Sequence, residues 1–332
     1  MFGTKPAELP QRIAFLLVPN FSMIAFASAV EPLRLANRAS GRALYGWHLL
    51  SADGRPVKAS NGIVLDTEAG IERADGFGTV VLCSGIDGHL YDDKAAFAWL
   101  RRQDRRGADI GALCTGSHAL ARAGLLDGHR CTVHWENLAG FAEAFPRVEA
   151  TSELFEIDRN RFTCAGGSAA LDMMLNMIAL QHGHELAAAV SDQMIHERIR
   201  DRHDRQRMAL PARLGVRQPK LVAVIGHMEE NLEEPLTRAE LAAASDLSSR
   251  QLERLFRKYL NRSPARYYVE LRLNRARLLL LQTDMSVIGV ALACGFVSAS
   301  HFSKCYRDFF GKTPRKERSL PPFAAASGAA RR

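Results

Sequence analysis

One stretch of this sequence occurs twice. Leu252–Pro264 (LERLFRKYLNRSP) matches Phe302–Pro314 (FSKCYRDFFGKTP) at a constant offset of 50 residues, and an internal repeat constrains the fold more than any single motif. Leu252, Leu255, Phe256, Tyr259 and Leu260 correspond to Phe302, Cys305, Tyr306, Phe309 and Phe310, an apolar stripe at helical spacing. Arg254, Arg257 and Arg262 correspond to Lys304, Arg307 and Lys312, so the basic face repeats with the apolar one. Amphipathic helices are common, but matched basic positions and matched hydroxyl–proline endings favour a duplicated unit.

A shorter helix and a turn precede each copy. Thr237–Ala244 leads through Ser245-Asp246-Leu247 into Ser248–Leu260, and Ser286–Ala293 leads through Cys294-Gly295-Phe296 into Ser298–Phe310. Thr237 and Ser286 can cap the first helices, Ser248 or Ser249 and Ser298 the second, and Gly295 suits a tight turn. The pattern is a helix-turn-helix written twice, joined by a long helix, Pro264–Gln282, that carries Arg266, Arg272, Arg275 and Arg277.

The charge distribution points the same way. The first 216 of the 332 residues hold 24 Lys and Arg against 25 Asp and Glu, while the last 116 hold 20 against 11, so the whole formal charge of +8 belongs to the repeat region. A basic domain on a neutral one predicts a polyanionic partner, most simply duplex DNA; an acidic protein partner or a merely solvated basic surface is the rival account. A recognition helix must be apolar behind and polar towards the major groove. The polar side of the first carries Ser249, Arg250, Glu253, Arg254 and Arg257, and that of the second Ser298, Ala299, Ser300, Ser303, Lys304 and Arg307, with His301 at its edge. Lys258, Arg262, Lys312 and Arg315, where the recognition helices end, are expected on phosphates. Two such heads in one chain can reach successive major-groove segments about 34 Å apart.

The first half alternates strand-like and helix-like segments. Arg12–Val18, Trp47–Ser51, Gly62–Leu65, Thr79–Cys83 and Ile110–Cys114 read as strands. Ser22–Arg38, Asp92–Arg106, Thr115–Leu126, Trp135–Phe145 and Ala169–His182 read as helices. That alternation predicts parallel strands buried on both faces, an α/β layered domain of flavodoxin-like type. Glu197–Met208 is almost wholly charged and reads as an exposed helix end entering a linker, with Pro211 and Pro219 as punctuation. The domains are therefore placed at 1–196 and 220–318, with a linker at 197–219 and a flexible tail at 319–332. No apolar run nears the roughly 20 residues of a membrane span, and the opening MFGTKPAELPQR lacks the apolar core of a secretory signal. Six cysteines without CxxC pairing predict neither a disulfide framework nor a zinc module, and suit a reducing cytoplasm.

These motifs carry family resemblances. Residues of about 220–318 resemble the AraC/XylS transcription regulators, notably in ELAAASDLSSRQLERLFRKYLNRSPARYYVELRLNRARLLL and IGVALACGFVSASHFSKCYRDFFGKTPRKER. Residues 12–185 resemble the PfpI-like, class I glutamine amidotransferase-like superfamily, in GALCTGSHALARAGLLDG, CTVHWENL and CAGGSAALDMML. The combination is similar to GlxA-type regulators, which implies a ligand-sensing, dimerising amino-terminal domain. Within it Cys114 stands at a strand-to-helix turn, where a helix dipole lowers a thiol pKa. Peptidase-like relatives place a histidine after that cysteine, but here stands Thr115, and Ala25 falls where hydratase-like relatives carry an acid. A thiolate without base or orienting acid lacks the machinery of covalent turnover, so no enzyme, cofactor or metal is expected. Cys131 and His134 alone make no metal site. A cysteine-dependent amidase or hydratase with a DNA-binding appendage is the alternative.

Ligands in this fold bind beyond the carboxyl ends of the strands. The expected pocket brings together Phe21, Ser22 and Met23, then Ser84, Gly85 and Ile86, with Cys114, Thr115 and His118 facing His134, Trp135 and Glu136. A tryptophan beside a carboxylate suits an amine or quaternary ammonium, and the resemblance implies effectors such as arginine, carnitine or glycine betaine. The reading is a cytoplasmic, homodimeric, effector-responsive regulator that binds promoter DNA and, as an activator, engages RNA polymerase.

Overall fold

The computed structural model describes residues 2–4, 6 and 8–319; beyond Ser319, the expected tail lies outside them. The chain forms two units, one ending at Gln206 and one beginning at Arg207.

The amino-terminal unit is built on strands β1 (Gln11–Leu17), β2 (Tyr45–Ser51), β3 (Val57–Lys58), β4 (Val64–Leu65), β5 (Ala69–Gly70), β6 (Thr79–Cys83), β7 (Asp109–Leu113), β8 (Arg130–Thr132), β9 (Glu149–Thr151), β10 (Phe155–Asp158) and β11 (Arg161–Cys164). Its helices are α1 (Met23–Ser40), α2 (Lys94–Arg105), α3 (Gly116–Arg122), α4 (Leu138–Ala144), α5 (Ala169–His182) and α6 (His184–Gln193). The main sheet runs β10-β11-β7-β6-β1-β2-β5, parallel throughout except at the β10–β11 edge pair. Both faces are apolar because both registers of each strand are. Ile13, Phe15 and Leu17 of β1 pack with α1, α5 and α6, whereas Ala14 and Leu16 pack with Trp99, Leu120 and Phe141 of α2, α3 and α4.

The expected α/β domain is therefore present, with differences at its margins. Val64–Leu65 joins no main sheet; it pairs with Val57–Lys58 in a separate hairpin. β11, a four-residue strand, lies beside β7, too short and polar-ended for its pattern to announce it. Glu197–Met208 is not a helix end. Regular helix stops at Gln193, and residues 196–206 run as an irregular strap against the sensor unit. Arg200 and His196 meet the buried Asp172, and the Arg202 carbonyl accepts from Leu154 N–H.

The second unit is helical: α7 (Leu210–Leu214), α8 (Pro219–Glu230), α9 (Arg238–Ala243), α10 (Ser249–Leu260), α11 (Pro264–Gln282), α12 (Val287–Ala293), α13 (Ala299–Phe310) and α14 (Pro314–Arg318). Pro211 and Pro219 occupy first turns, where a missing N–H costs nothing. Thr237 and Ser248 form full capping boxes with Glu240 and Gln251, and Ser286 and Ser298 cap α12 and α13. The turns between paired helices contain Asp246 and Gly295, both in the left-handed region at φ 51° and 70°. A Cβ on Gly295 would stand 2.7 Å from the Glu233 carbonyl, so that position also requires a missing side chain.

Phe256 and Phe302 are fully buried and fill the space behind α10 and α13. Truncating either to alanine is expected to cost about 3–5 kcal/mol, against about 0.5 kcal/mol or less for exposed Arg254→Ala. Chemical denaturation of the carboxy-terminal unit, followed by circular dichroism, measures the difference.

Candidate DNA interface and sensor cavity

The two recognition helices are alike in what they hide and what they show. Residue by residue, 251–260 and 301–310 have the same sequence of buried, half-buried and exposed positions. Leu252 and Phe256 are buried in the first, Phe302 and Tyr306 in the second. On the outward side Arg250, Arg254, Arg257 and Lys258 are exposed, with Ser249 and Glu253 half-buried. They line an open groove of about 800 Å³ together with Arg238 from α9, a residue the repeat does not single out. On α13 Ser300, His301, Lys304 and Arg307 are exposed, and Ala299 and Ser303 half-buried. The Ser298 hydroxyl accepts from His301 N–H at 3.3 Å, so it serves first as a cap. Glu253 holds Arg257 at 3.3 Å, an exposed pair that a phosphate can compete for.

Arg262 and Lys312 are placed differently from expectation. Arg262 pairs with Glu270, a buried acid also met by Arg266 at 3.2 Å. Lys312 pairs with the buried Glu317 at 3.0 Å, which Arg277 meets at 3.1 Å. A buried carboxylate needs a cation, so these side chains brace the helix that follows each recognition helix instead of standing free for phosphates. Arg272 likewise points inward. It donates to the Cys294 and Gly295 carbonyls at 2.7 and 2.6 Å, and lies 4.1 Å from the Phe296 ring centre. Arg315, at the start of α14, is exposed.

In the sensor unit Cys114 follows β7 at φ 61°, a strained left-handed position for a side-chain-bearing residue. Gly166 lies against it; a Cβ there would come within 2.9 Å of the Cys114 Sγ. Burial and the neighbouring Cys164 push the thiol up to about 12, with Glu136 adding to the rise against an opposing Thr115 N–H. Against the expected helix activation stand the shortness of α3, seven residues, and the desolvation of the half-buried Cys114 thiol. The Thr115 hydroxyl donates to the Gly85 carbonyl at 2.5 Å and lies 3.1 Å from the Ser84 hydroxyl. His118 is buried on the other face of the sheet, edge-on to Phe141 at 5.0 Å, and burial lowers its pKa to about 3. It belongs to the core, not to the pocket.

Nor is the expected pocket one site. Phe21 bridges Gly85 and is fully buried, which closes the switch point between β1 and β6. Ser22 caps α1, and Met23 and Ile86 are half-buried beside these two loops. The cavity, about 180 Å³, lies instead beyond β11, lined by His134, Trp135, Leu154, residues 165–169, Arg200 and Gln206. Trp135 is 38% exposed, and Glu136 beside it lies 4.0 Å from His134 Nδ1. Among the described residues no cluster suits a metal ion, and no helix is long and apolar enough to cross a membrane. Arg200 and Gln206 lie within a charged run whose pattern does not single them out; the buried Asp172 holds Arg200, and Thr132, Val133 and Glu153 hold Gln206.

A doubly wound α/β sensor followed by two exposed basic recognition helices defines a DNA-binding transcription regulator. A helix-turn-helix domain model matches 241–319 and the DJ-1/PfpI family model matches 11–180. The chain is 55% identical to the HTH-type transcriptional regulator GbdR of Pseudomonas aeruginosa, over 94% of this chain and 85% of that one. It is 48% identical to the HTH-type transcriptional regulator CdhR of the same species, over 96% and 94%. An AraC family transcriptional regulator from Pseudomonas putida shares its sensor fold with a TM-score of 0.51, at 29% identity, over 56% of this chain and all of that one. The chain belongs to the AraC-family, GlxA-type regulators that carry a DJ-1/PfpI-type amino-terminal domain, and it is a regulator, not an enzyme.

A raised thiol pKa leaves the reactive thiolate fraction growing up to about 12. Alkylation of Cys114 by iodoacetamide should therefore be slow at neutral pH and still rising beyond pH 9. A helix-activated thiol, with a pKa of roughly 3.5–7.5, levels off by about pH 8. Peptide mass spectrometry separates Cys114 from the half-buried Cys305.

Proposed function

We propose that this regulator acts in the cytoplasm as a homodimeric activator, reading promoter DNA through α10 and α13 and answering to a small nitrogenous metabolite. The observation that carries the DNA-reading part is the matched pair of recognition helices, each gripped by a buried aromatic and each turning a basic side outward. Arg250 and Arg254 suit guanine O6 and N7, while Ser300 and Ser303 are less selective and Ala299 suits a thymine methyl. Lys258 and Arg315 suit phosphates. On the sensor side, the part-exposed Trp135 with Glu136 next to it supports an amine or quaternary ammonium effector, of the class of arginine, carnitine or glycine betaine. Activation requires the effector to favour one arrangement of the paired chains over another, and RNA polymerase is then the further partner.

Charge reversal at both heads, Arg254→Glu with Lys304→Glu, should abolish operator binding in gel-shift assays while circular dichroism stays native. Unchanged affinity overturns the assignment. Arg254→Ala alone should cost about 1–3 kcal/mol and relax preference at one base pair. Lys258→Ala should weaken all sequences alike and reduce the salt slope by about 0.9.

A further inference from the structure

We propose that the effector's carboxylate is held in the sensor cavity by Arg200 and the Gly166–Ser168 turn, so that the strap leading to the DNA-binding unit is itself one wall of the effector site. The inference rests on the sensor reading above and adds to it the anionic half of the ligand. Asp172 of α5 is fully buried, and the strap supplies its partners. Arg200 Nε and Nη2 donate to Oδ2 at 2.9 and 2.6 Å, Arg200 N–H donates to Oδ1 at 2.7 Å, and His196 Nε2 lies 2.9 Å from Oδ1. Lifting the strap would leave an unpaired buried charge, so the strap and α5 are tied through this one carboxylate.

The same arginine faces the cavity. Nη2 also donates to Ser168 Oγ at 2.8 Å. A guanidinium has five N–H groups, and the side-chain bonds above use those of Nε and Nη2, which leaves the two Nη1 N–H groups to donate further. Ser168 accepts from Arg200 and keeps its own proton to donate. The turn carrying Ser168 opens α5, a helix of 14 residues; its Ala169 and Leu171 N–H groups already bond to the Gly166 and Ser168 carbonyls, so the Ser168 hydroxyl and Arg200 are the donors this end offers. This end of the cavity therefore offers donors to an anionic group, while Trp135 offers a π face to a cation. Gln206 completes the wall. Its Nε2 donates to Thr132 Oγ1, the Val133 carbonyl and the Glu153 carbonyl, and its buried Oε1 has no donor among the described residues. About 180 Å³ is the space of roughly six waters, enough for a small zwitterion. Gln206 is the last residue of the sensor unit, so a ligand bridging α5 and Arg200 tightens the segment that enters the second unit.

Hydrogen exchange of the full-length protein tests this with two matched probe pairs, glycine betaine against choline and L-arginine against agmatine, in which only the first member carries a carboxylate. The expected result is that the carboxylate member of at least one pair slows exchange across 196–206 and its amine-only partner does not. Arg200→Lys, which keeps the charge but loses the fork, and Ser168→Ala, which leaves the Asp172 pairing intact, should each weaken that ligand about tenfold or more. If choline or agmatine protects the strap as well as its partner, or if both variants bind normally, the carboxylate site is overturned and the nitrogen-effector reading stands. If no probe of either pair protects the strap, both fall.

Discussion

Each reading head depends on a helix of three turns being held firmly from one side only. Phe256 and Phe302 supply that hold, and the turns at Asp246 and Gly295 set the angle at which the preceding helix meets it. A helix this short is marginal in isolation, so its straightness and aim come from tertiary packing. Residues turned to the groove can then be chosen for DNA without regard to stability. The surplus of positive charge agrees with this division of labour: Arg250, Arg254 and Lys304 are exposed.

Two acids within this basic unit show where the division is enforced. Glu270 and Glu317 are buried in the helices that follow the recognition helices, and each draws in two cations, one of which, Arg262 or Lys312, the sequence offers to DNA. Exposed ion pairs contribute little, whereas an unmatched buried carboxylate is strongly destabilising. Arg262, Arg266, Arg277 and Lys312 are therefore chiefly structural, and the repeat that looked like a uniform basic face is partly an internal brace.

How far the sequence speaks for itself follows from where the partners lie. The duplicated heads were legible because apolar stripe, basic face, caps and turn all fall within one short window and recur. The Cys114 turn was legible for the same local reason, although its thiol chemistry was not, since it depends on burial and on the neighbouring Cys164 and Glu136, which lie elsewhere in the chain. The role of Arg262 depends on Glu270 eight residues on, and that of Arg200 on Asp172 28 residues back. A charged run such as 197–208 looks solvated until its buried counter-charge is known. The effector pocket is expected beyond the carboxyl ends of the strands; of the expected residues His134 and Trp135 line the cavity beyond β11, two strands along from β6, whereas Phe21 and Gly85 bridge each other at the β1–β6 end.

The Cys114 turn and the strap both meet the β11–α5 turn: Gly166 lies against Cys114, and Ser168 accepts from Arg200. In an enzyme of this fold the turn bearing the cysteine must admit substrate, and its thiol must ionise. Here Thr115 ties that turn to the Gly85 loop, Gly166 presses against the sulfur, and His118 faces away into the core. Beside the cysteine, the β11–α5 turn and Arg200 line the cavity of about 180 Å³, and Arg200 belongs to the segment that runs on to Gln206, where the sensor unit ends. A ligand held there would be felt by the output domain only if the connecting segment favoured one arrangement over another when it is bound.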